Sequence, residues 1–308
     1  MIKEFIRKTS LFILILFLII LTGSFLPTTP RASKSLLFAK LNKDKALQET
    51  PSPRILFVGG SNLSFGLNSQ KVKDSLGLNP INTAIHAKIG LSYMLSSTEQ
   101  YVEKGDIIVL VPEYDQFYEK SEECSTELFR TIMDVQRSDI KLLNNEKYMS
   151  FFLNTFRYAI SKFIPTEYFF LSESDIYSVN SFNNYGDVFT HWGMPKEYFA
   201  PYGKTFDKNF NESKMNDLIE FKEQIEKKGA RLFVSFPSFQ DISFENSLER
   251  IERVHKEFQN KKLNILGTPE RYKMADSLMF NTPYHLNKNG VEYRTQLLIE
   301  DIKNELAN

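Results

Sequence analysis

Cysteine, tryptophan and histidine are scarce in this chain: one, one and four among 308 residues. A lone Cys124 excludes a disulfide framework and a cysteine-based zinc site, and it lies too far from the N-terminus to carry a lipid there. The histidines, His86, His191, His255 and His285, have no i, i+4 spacing on one helix, so no metal site is expected. Acidic and basic residues balance at 38 each. That removes the basic footprint of a nucleic-acid binder. Repeats and low-complexity tracts are missing too, and no cofactor is expected.

Aromatic residues are plentiful, with 27 Phe and 14 Tyr. Such a share suits a thick core, or a surface that stacks on sugar rings. The long apolar run is confined to the N-terminus, where Lys3, Arg7 and Lys8 precede Leu11 to Leu21 and the run continues to Leu26. From Thr9 to Leu26 it is just long enough to cross roughly 30 Å of hydrocarbon, which takes about 20 helical residues. Thr22 and Ser24 make a weak cleavage site, so an uncleaved single-pass anchor over residues 1–26 is expected, with secretion after cleavage as the alternative. The leading positive charge places the N-terminus in the cytoplasm and the rest of the chain outside.

Residues 27–53 carry Pro, Ser, Thr, Lys and Arg without a sustained apolar period and read as a linker. From Arg54 short apolar runs alternate with helical patterns. Strands are expected at Arg54–Val58, Ile81–Ile85, Asp106–Val111, Arg231–Phe236 and Leu263–Leu266. Helices are expected at Ser69–Leu76, Leu91–Val102, Glu212–Lys228, Phe244–Phe258 and Lys288–Leu306. This alternation predicts a three-layer α/β/α domain over 54–308 around a mainly parallel sheet. At about 119–202 the rhythm breaks into an insertion with helical patterns at Glu127–Leu143 and Lys147–Phe163, the size of a lid or substrate-binding subdomain.

Two segments carry chemistry. Ser61, in Val58-Gly59-Gly60-Ser61-Asn62-Leu63-Ser64-Phe65-Gly66, directly follows a strand, at the sheet edge where ligands of open α/β folds bind. His285 lies far along the chain in Asn281-Thr282-Pro283-Tyr284-His285-Leu286-Asn287. A serine hydroxyl is a weak nucleophile until a base such as histidine takes its proton. Without such a base Ser61 reads as a helix cap. Ser64 is the poorer nucleophile, a turn beyond the strand. His86 reads as a structural residue near the same edge, His191 as a packing residue and His255 as a solvated one. Asn183, Asn184, Tyr185 and Asp187 read either as a turn or as sugar ligands.

In order and spacing these segments resemble the SGNH/GDSL hydrolases. Gly60-Ser61 with Gly66 is similar to their first block, Asn82 through His86 to Gly90 to the second, Val111-Pro112-Glu113-Tyr114 to the third, and Tyr284-His285-Leu286-Asn287 with Gly290 to the fifth. The likeness spans Arg54 to Asn308 and is strongest to membrane-anchored forms that act on envelope polysaccharides beside membrane-bound O-acyltransferases.

What the resemblance implies is acyl transfer, with Ser61 as nucleophile, His285 as general base, and the backbone N–H groups of Ser61 and Gly90 as the oxyanion hole. The implied substrate is an O-acylated polysaccharide, and Asn62, Glu113, Tyr114, Asn184 and Tyr185 are the expected substrate-binding residues. Three positions depart from the family pattern: Gly60 stands where Asp is usual, Glu113 where an Asn donor is usual, and Asn281 or Thr282 where the acid that orients the histidine is usual. A Ser-His dyad and a triad completed by Asn281 are both open, as is a catalytically silent form that binds glycan or scaffolds an acyltransferase.

Overall fold

The computed structural model describes residues 1–118, 124–145, 147–169, 174–204 and 209–307. The expected start of the insertion, Glu119, lies outside them. In chain order the helices are α1 Ile2–Phe25, α2 Pro30–Ser33, α3 Ala39–Glu49, α4 Ser61–Ser64, α5 Ser69–Leu76, α6 Leu91–Glu99, α7 Thr126–Arg130, α8 Lys147–Ser161, α9 Glu212–Lys227, α10 Asp241–Asn246, α11 Leu248–Asn260 and α12 Lys288–Ala307. The strands are β1 Arg54–Gly59, β2 Asn79–Asn82, β3 Ile107–Val111, β4 Arg231–Ser235, β5 Phe239–Gln240, β6 Ile265–Leu266 and β7 Lys273–Met274.

β2, β1, β3, β4 and β6 form, in that order, a parallel sheet. β1 and β3 are buried along their whole length. Continuous apolar runs such as Ile-Leu-Phe-Val and Ile-Ile-Val-Leu-Val belong to strands covered on both faces. Helices α5 and α12 pack together, as do α6 and α9. These pairs cover opposite faces, as right-handed crossovers require for this strand order. The domain is therefore the expected α/β sandwich, doubly wound. The order reverses between β1 and β3, and the crevice at the carboxyl ends of those two strands is where such folds bind ligand.

A buried ion pair fixes the opposite end of the same strands. Arg54, at the start of β1, holds Asp106 through Nε to Oδ1 (2.8 Å) and Nη2 to Oδ2 (2.5 Å), and Nη1 donates to the Leu47 carbonyl of α3 (2.6 Å). A two-pronged contact of this kind suits the planar guanidinium.

Several segments differ from the sequence reading. Residues 27–53 include α2 and α3, which fold onto the domain; Lys40, Lys43 and Leu47 of α3 are buried. The Lys43 ammonium caps the carbonyls of Asn82 (2.7 Å) and Gly186 (2.6 Å), so a lysine read as linker polarity closes the edge beside β2. β2 lies at Asn79–Asn82 rather than Ile81–Ile85, because its register with β1 pairs Arg54 with Asn79 and Phe57 with Asn82. The expected helix Phe244–Phe258 is two, α10 and α11, broken at Ser247. The Glu127–Leu143 pattern becomes α7, a π turn and a 3-10 stretch. His255 is half-buried, its ring set edge-on to Phe236 at 5.2 Å.

Candidate active site

Ser61 opens α4, immediately after β1 and the extended Gly60. Its backbone N–H is one of the first-turn groups that the helix itself cannot satisfy. The hydroxyl donates to Glu113 Oε1 at 3.3 Å, and the backbone N–H of Asn62 donates to the same oxygen at 3.1 Å. Glu113 follows β3, so the two residues face each other across the point where the strand order reverses.

Two departures from the resembled pattern turn out to be one arrangement. A Cβ on residue 60 would lie 2.7 Å from Glu113 Oε1 and 2.9 Å from Ala87. Glycine at 60 is what admits the glutamate. An aspartate there would also set a second carboxylate against the first, which like-charge repulsion disfavours.

His285 sits at the end of a turn that reverses the chain. The Phe280 N–H donates to the His285 carbonyl (2.8 Å), and the His285 N–H donates to Thr282 Oγ1 (3.1 Å). The small parallel pair β5–β7, invisible in the sequence, steadies this loop: the Gln240 N–H donates to the Pro283 carbonyl (2.9 Å), and the Gln240 amide to Asp276 Oδ1 (2.6 Å). Asp276 is thus engaged by Gln240 and by Lys196, and the residue against His285 Nδ1 is Asn281, whose Oδ1 lies 2.9 Å away. The Asn281 amide nitrogen donates to the Tyr177 hydroxyl (2.9 Å), which turns its oxygen toward the imidazole. The imidazole therefore carries its proton on Nδ1 and leaves Nε2 as a basic lone pair.

The ring of His285 stacks on Phe65, one residue past α4, with centroids 4.1 Å apart and planes 6° off parallel. This stack ties the late histidine to the turn that bears Ser61. Burial, reinforced by nearby His191 and His86, pushes His285 down to about 3. It is therefore an unprotonated base at neutral pH. Among the described residues no hydrogen bond joins Ser61 to His285; the serine proton is turned to Glu113.

Of the remaining expected residues, Gly90 lies at the positive φ of 83° at the start of α6, and its N–H donates to the Ala87 carbonyl (2.9 Å). Asn62 and Tyr114, expected to meet substrate, are turned into the protein. Asn62 is buried with its amide on the Val111 carbonyl (3.2 Å), and Tyr114 is buried against Phe239. Asn184 and Tyr185 line a cavity of about 390 Å³ with Lys43 and Glu49 of α3. Their neighbour Asp187 is fully buried and structural, accepting from the Ser69 N–H and hydroxyl (2.8 and 2.7 Å) and from Asn82 (2.9 Å). Ser64 donates to the Ala84 carbonyl at 2.7 Å and is wholly buried.

His86 caps a short turn, its Nδ1 accepting from the Lys88 N–H (3.1 Å). His191 is buried beside Phe65 and Phe280 with Nε2 at 2.9 Å from the Leu286 carbonyl, and burial lowers it to about 4. Among the described residues no three metal-ligating side chains gather.

The sequence reading missed Phe65, Tyr177 and the Gly60–Glu113 contact. Only Phe65 carried a signal, as an aromatic within the serine segment.

No protein-family profile matches the chain, and no curated protein matches it. A crystal structure of the Bacillus subtilis protein YxiM is similar at a TM-score of 0.38 and 13% identity, over 82% of this chain and 56% of that one. The chain thus spans a little over half of that protein's length.

Proposed function

We propose that this protein is a membrane-anchored, extracytoplasmic serine acyl-ester hydrolase or O-acyltransferase, most simply an acetyl one, acting on envelope or exported polysaccharide. The observation that carries the reading is the buried Asn281–His285 pair, with Nδ1 held at 2.9 Å and the ring stacked on the turn that bears Ser61. A histidine fixed in this tautomer presents an unprotonated Nε2 as proton acceptor, while its burial makes the imidazolium costly to form.

In the reaction, the Ser61 hydroxyl leaves Glu113 for His285 Nε2 as substrate enters. Its oxygen then bonds to the ester carbonyl carbon while the proton passes to the imidazole. Collapse of the tetrahedral intermediate breaks the ester bond, and the imidazolium returns the proton to the leaving alcohol. Water or a sugar hydroxyl, deprotonated by the same histidine, then takes the acyl group from Ser61. The Ser61 N–H is the oxyanion donor this reading retains, a contribution of about 3 kcal/mol. Asn281 orients the imidazolium without neutralising it.

The anchor is supported by α1, whose apolar segment has a mean hydropathy of 2.5 and is largely exposed. A membrane-bound O-acyltransferase is the partner of the transferase form.

One observation favours a silent, glycan-binding or scaffolding form: the serine proton is directed to the Glu113 carboxyl in place of the histidine. Hydrolysis of an acetyl ester by the full chain, compared with Ser61→Ala and His285→Ala, separates the two. The enzyme reading expects both variants to lose at least about a thousandfold in kcat, as members of one catalytic unit do. Equal rates in all three establish the silent form.

A further inference from the structure

Helix α8 leaves one face uncovered. Met149, Phe152, Leu153, Phe156 and Ile160 follow helical spacing along one stripe and are 40–72% exposed, and Phe163, in the turn just past the helix, is exposed as well. The opposite side, with Phe151, Tyr158 and Ala159, is buried against the protein. From Lys147 to Thr166 there is no acidic residue, and the exposed base is Arg157; Lys147 and Lys162 are buried, Lys162 against Asp134 Oδ1 (2.8 Å). An exposed apolar stripe flanked by Arg157 and by no acid suits a helix that lies in a lipid interface.

The position of α8 says what covers that face. It packs directly against α1, and the crossing is close: a Cβ on Gly23 would lie 2.4 Å from the Ala159 carbonyl oxygen. Small residues at such crossings let two backbones touch, as in helix packing within membranes. The end of α1 is also bolted to the domain. Ser24 O accepts from Arg137 (3.0 Å), Pro27 O from Lys162 (3.3 Å), and Thr29 donates to Glu167 (2.7 Å). α1 has 24 residues, which at 1.5 Å each makes a rod of about 36 Å, slightly longer than the hydrocarbon layer. With the apolar span Thr9–Leu26, about 27 Å of helix, across the hydrocarbon, residue 23 lies near its far boundary, and α8 is held at that same level.

We infer that α8 lies in the outer lipid interface with its Met149–Phe163 stripe in the acyl-chain boundary, so that α1 and α8 dock the domain on the membrane at a fixed orientation. This rests on the anchor reading above. The docked lipid surface then lies close to the acyl-transfer edge, because a Cβ on Gly90 would be 3.4 Å from Nζ of Lys147, the first residue of α8. A domain docked in this way meets substrate presented at the membrane surface.

Nitroxide labels on single cysteines in the full chain, reconstituted into phosphatidylglycerol–phosphatidylethanolamine vesicles, test this. Positions Phe152 and Phe156 probe α8, Leu18 probes α1 and Lys256 on α11 is the aqueous reference; native Cys124 is buried. Collisions with oxygen, which partitions into lipid, are compared with collisions with a water-soluble nickel chelate. The expected result is an oxygen-to-nickel ratio at 152 and 156 about tenfold above that at 256 and approaching that at 18. An aqueous ratio at 152 and 156 with a lipid ratio at 18 overturns the docking while leaving the anchor. Shielding of 152 and 156 from both reagents means that protein covers the stripe and overturns it too. An aqueous ratio at 18 overturns the anchor itself.

Discussion

Replacing Asn281 by Asp restores the acid that the turn lacks, and the structure sets what should follow. Asn281 Oδ1 is 2.9 Å from His285 Nδ1, so a carboxylate there sits about 4 Å from the centre of the imidazolium that forms as Ser61 attacks. At an effective dielectric constant near 20 that pairing is worth about 4 kcal/mol, or about three orders of magnitude in rate. Asp-to-Asn exchange in serine proteases costs roughly four orders. The Tyr177 hydroxyl, which now accepts from the Asn281 amide at 2.9 Å, is held protonated by burial and turns to donate to the new carboxylate.

The same charge raises His285 from about 3 by roughly three pH units, toward the ordinary imidazole value. Asn281→Asp should therefore increase kcat/KM for p-nitrophenyl acetate by about a hundredfold to a thousandfold at neutral pH. It should also bring in an acid limb near pH 6 that the native protein, flat down to about pH 4, does not have. A loss of activity matching Asn281→Ala, or an unchanged rate with an unchanged pH profile, refutes the assignment of His285 as base and Asn281 as its orienter.

Two further outcomes follow from packing and protonation. His285 and His191 are depressed to about 3 and about 4, so below the unfolded value of 6.5 the unfolded chain binds protons that the folded one does not. The contribution of these histidines is then constant above about pH 7 and falls as the pH drops from 6.5, by about 1.4 kcal/mol per unit for each. The pH dependence of unfolding free energy in urea for His191→Phe between about pH 6 and 4 should be shallower than the native one by about 1.4 kcal/mol per unit; an unchanged dependence contradicts a buried neutral His191. Gly60→Ala places a Cβ 2.7 Å from Glu113 Oε1 and 2.9 Å from Ala87, and should destabilise by about 1–3 kcal/mol in urea melts. Adding Glu113→Ala should return part of that loss but not the part due to Ala87; complete additivity of the two changes means the residues do not touch.

The core strands could be read from the chain because parallel strands covered on both faces are continuous apolar runs. β1, β3 and β4 fall within a residue or two of their expected bounds. β2 was displaced because Asn79-Pro80-Ile81-Asn82 is half polar while the apolar Ile85 lies in the following loop; pairing with β1 decides its position, and pairing is a long-range property. α3 was lost for a related reason. Lys43 is buried by acceptors from Asn82 and Gly186, far away in sequence, that no local pattern announces.

The contact between Asn281 and His285 was legible as an i, i+4 pair across a Thr-Pro turn. The link between Gly60 and Glu113 was not. Read separately, each looked like a lost motif position; in space, one admits the other. The stack of His285 on Phe65 and the two-residue strands β5 and β7 are likewise products of tertiary packing, which local sequence does not encode.

The central claim is that Ser61 becomes acylated with His285 as its base, and mass spectrometry of the full chain after brief exposure to p-nitrophenyl acetate tests it most directly. The account predicts one acetyl group on the peptide carrying Ser61 in the native protein, a higher occupancy in Asn281→Asp during the first turnover, and none in Ser61→Ala or His285→Ala. Acetylation of Ser61 at an undiminished rate in His285→Ala, or labelling confined to other residues, would contradict it.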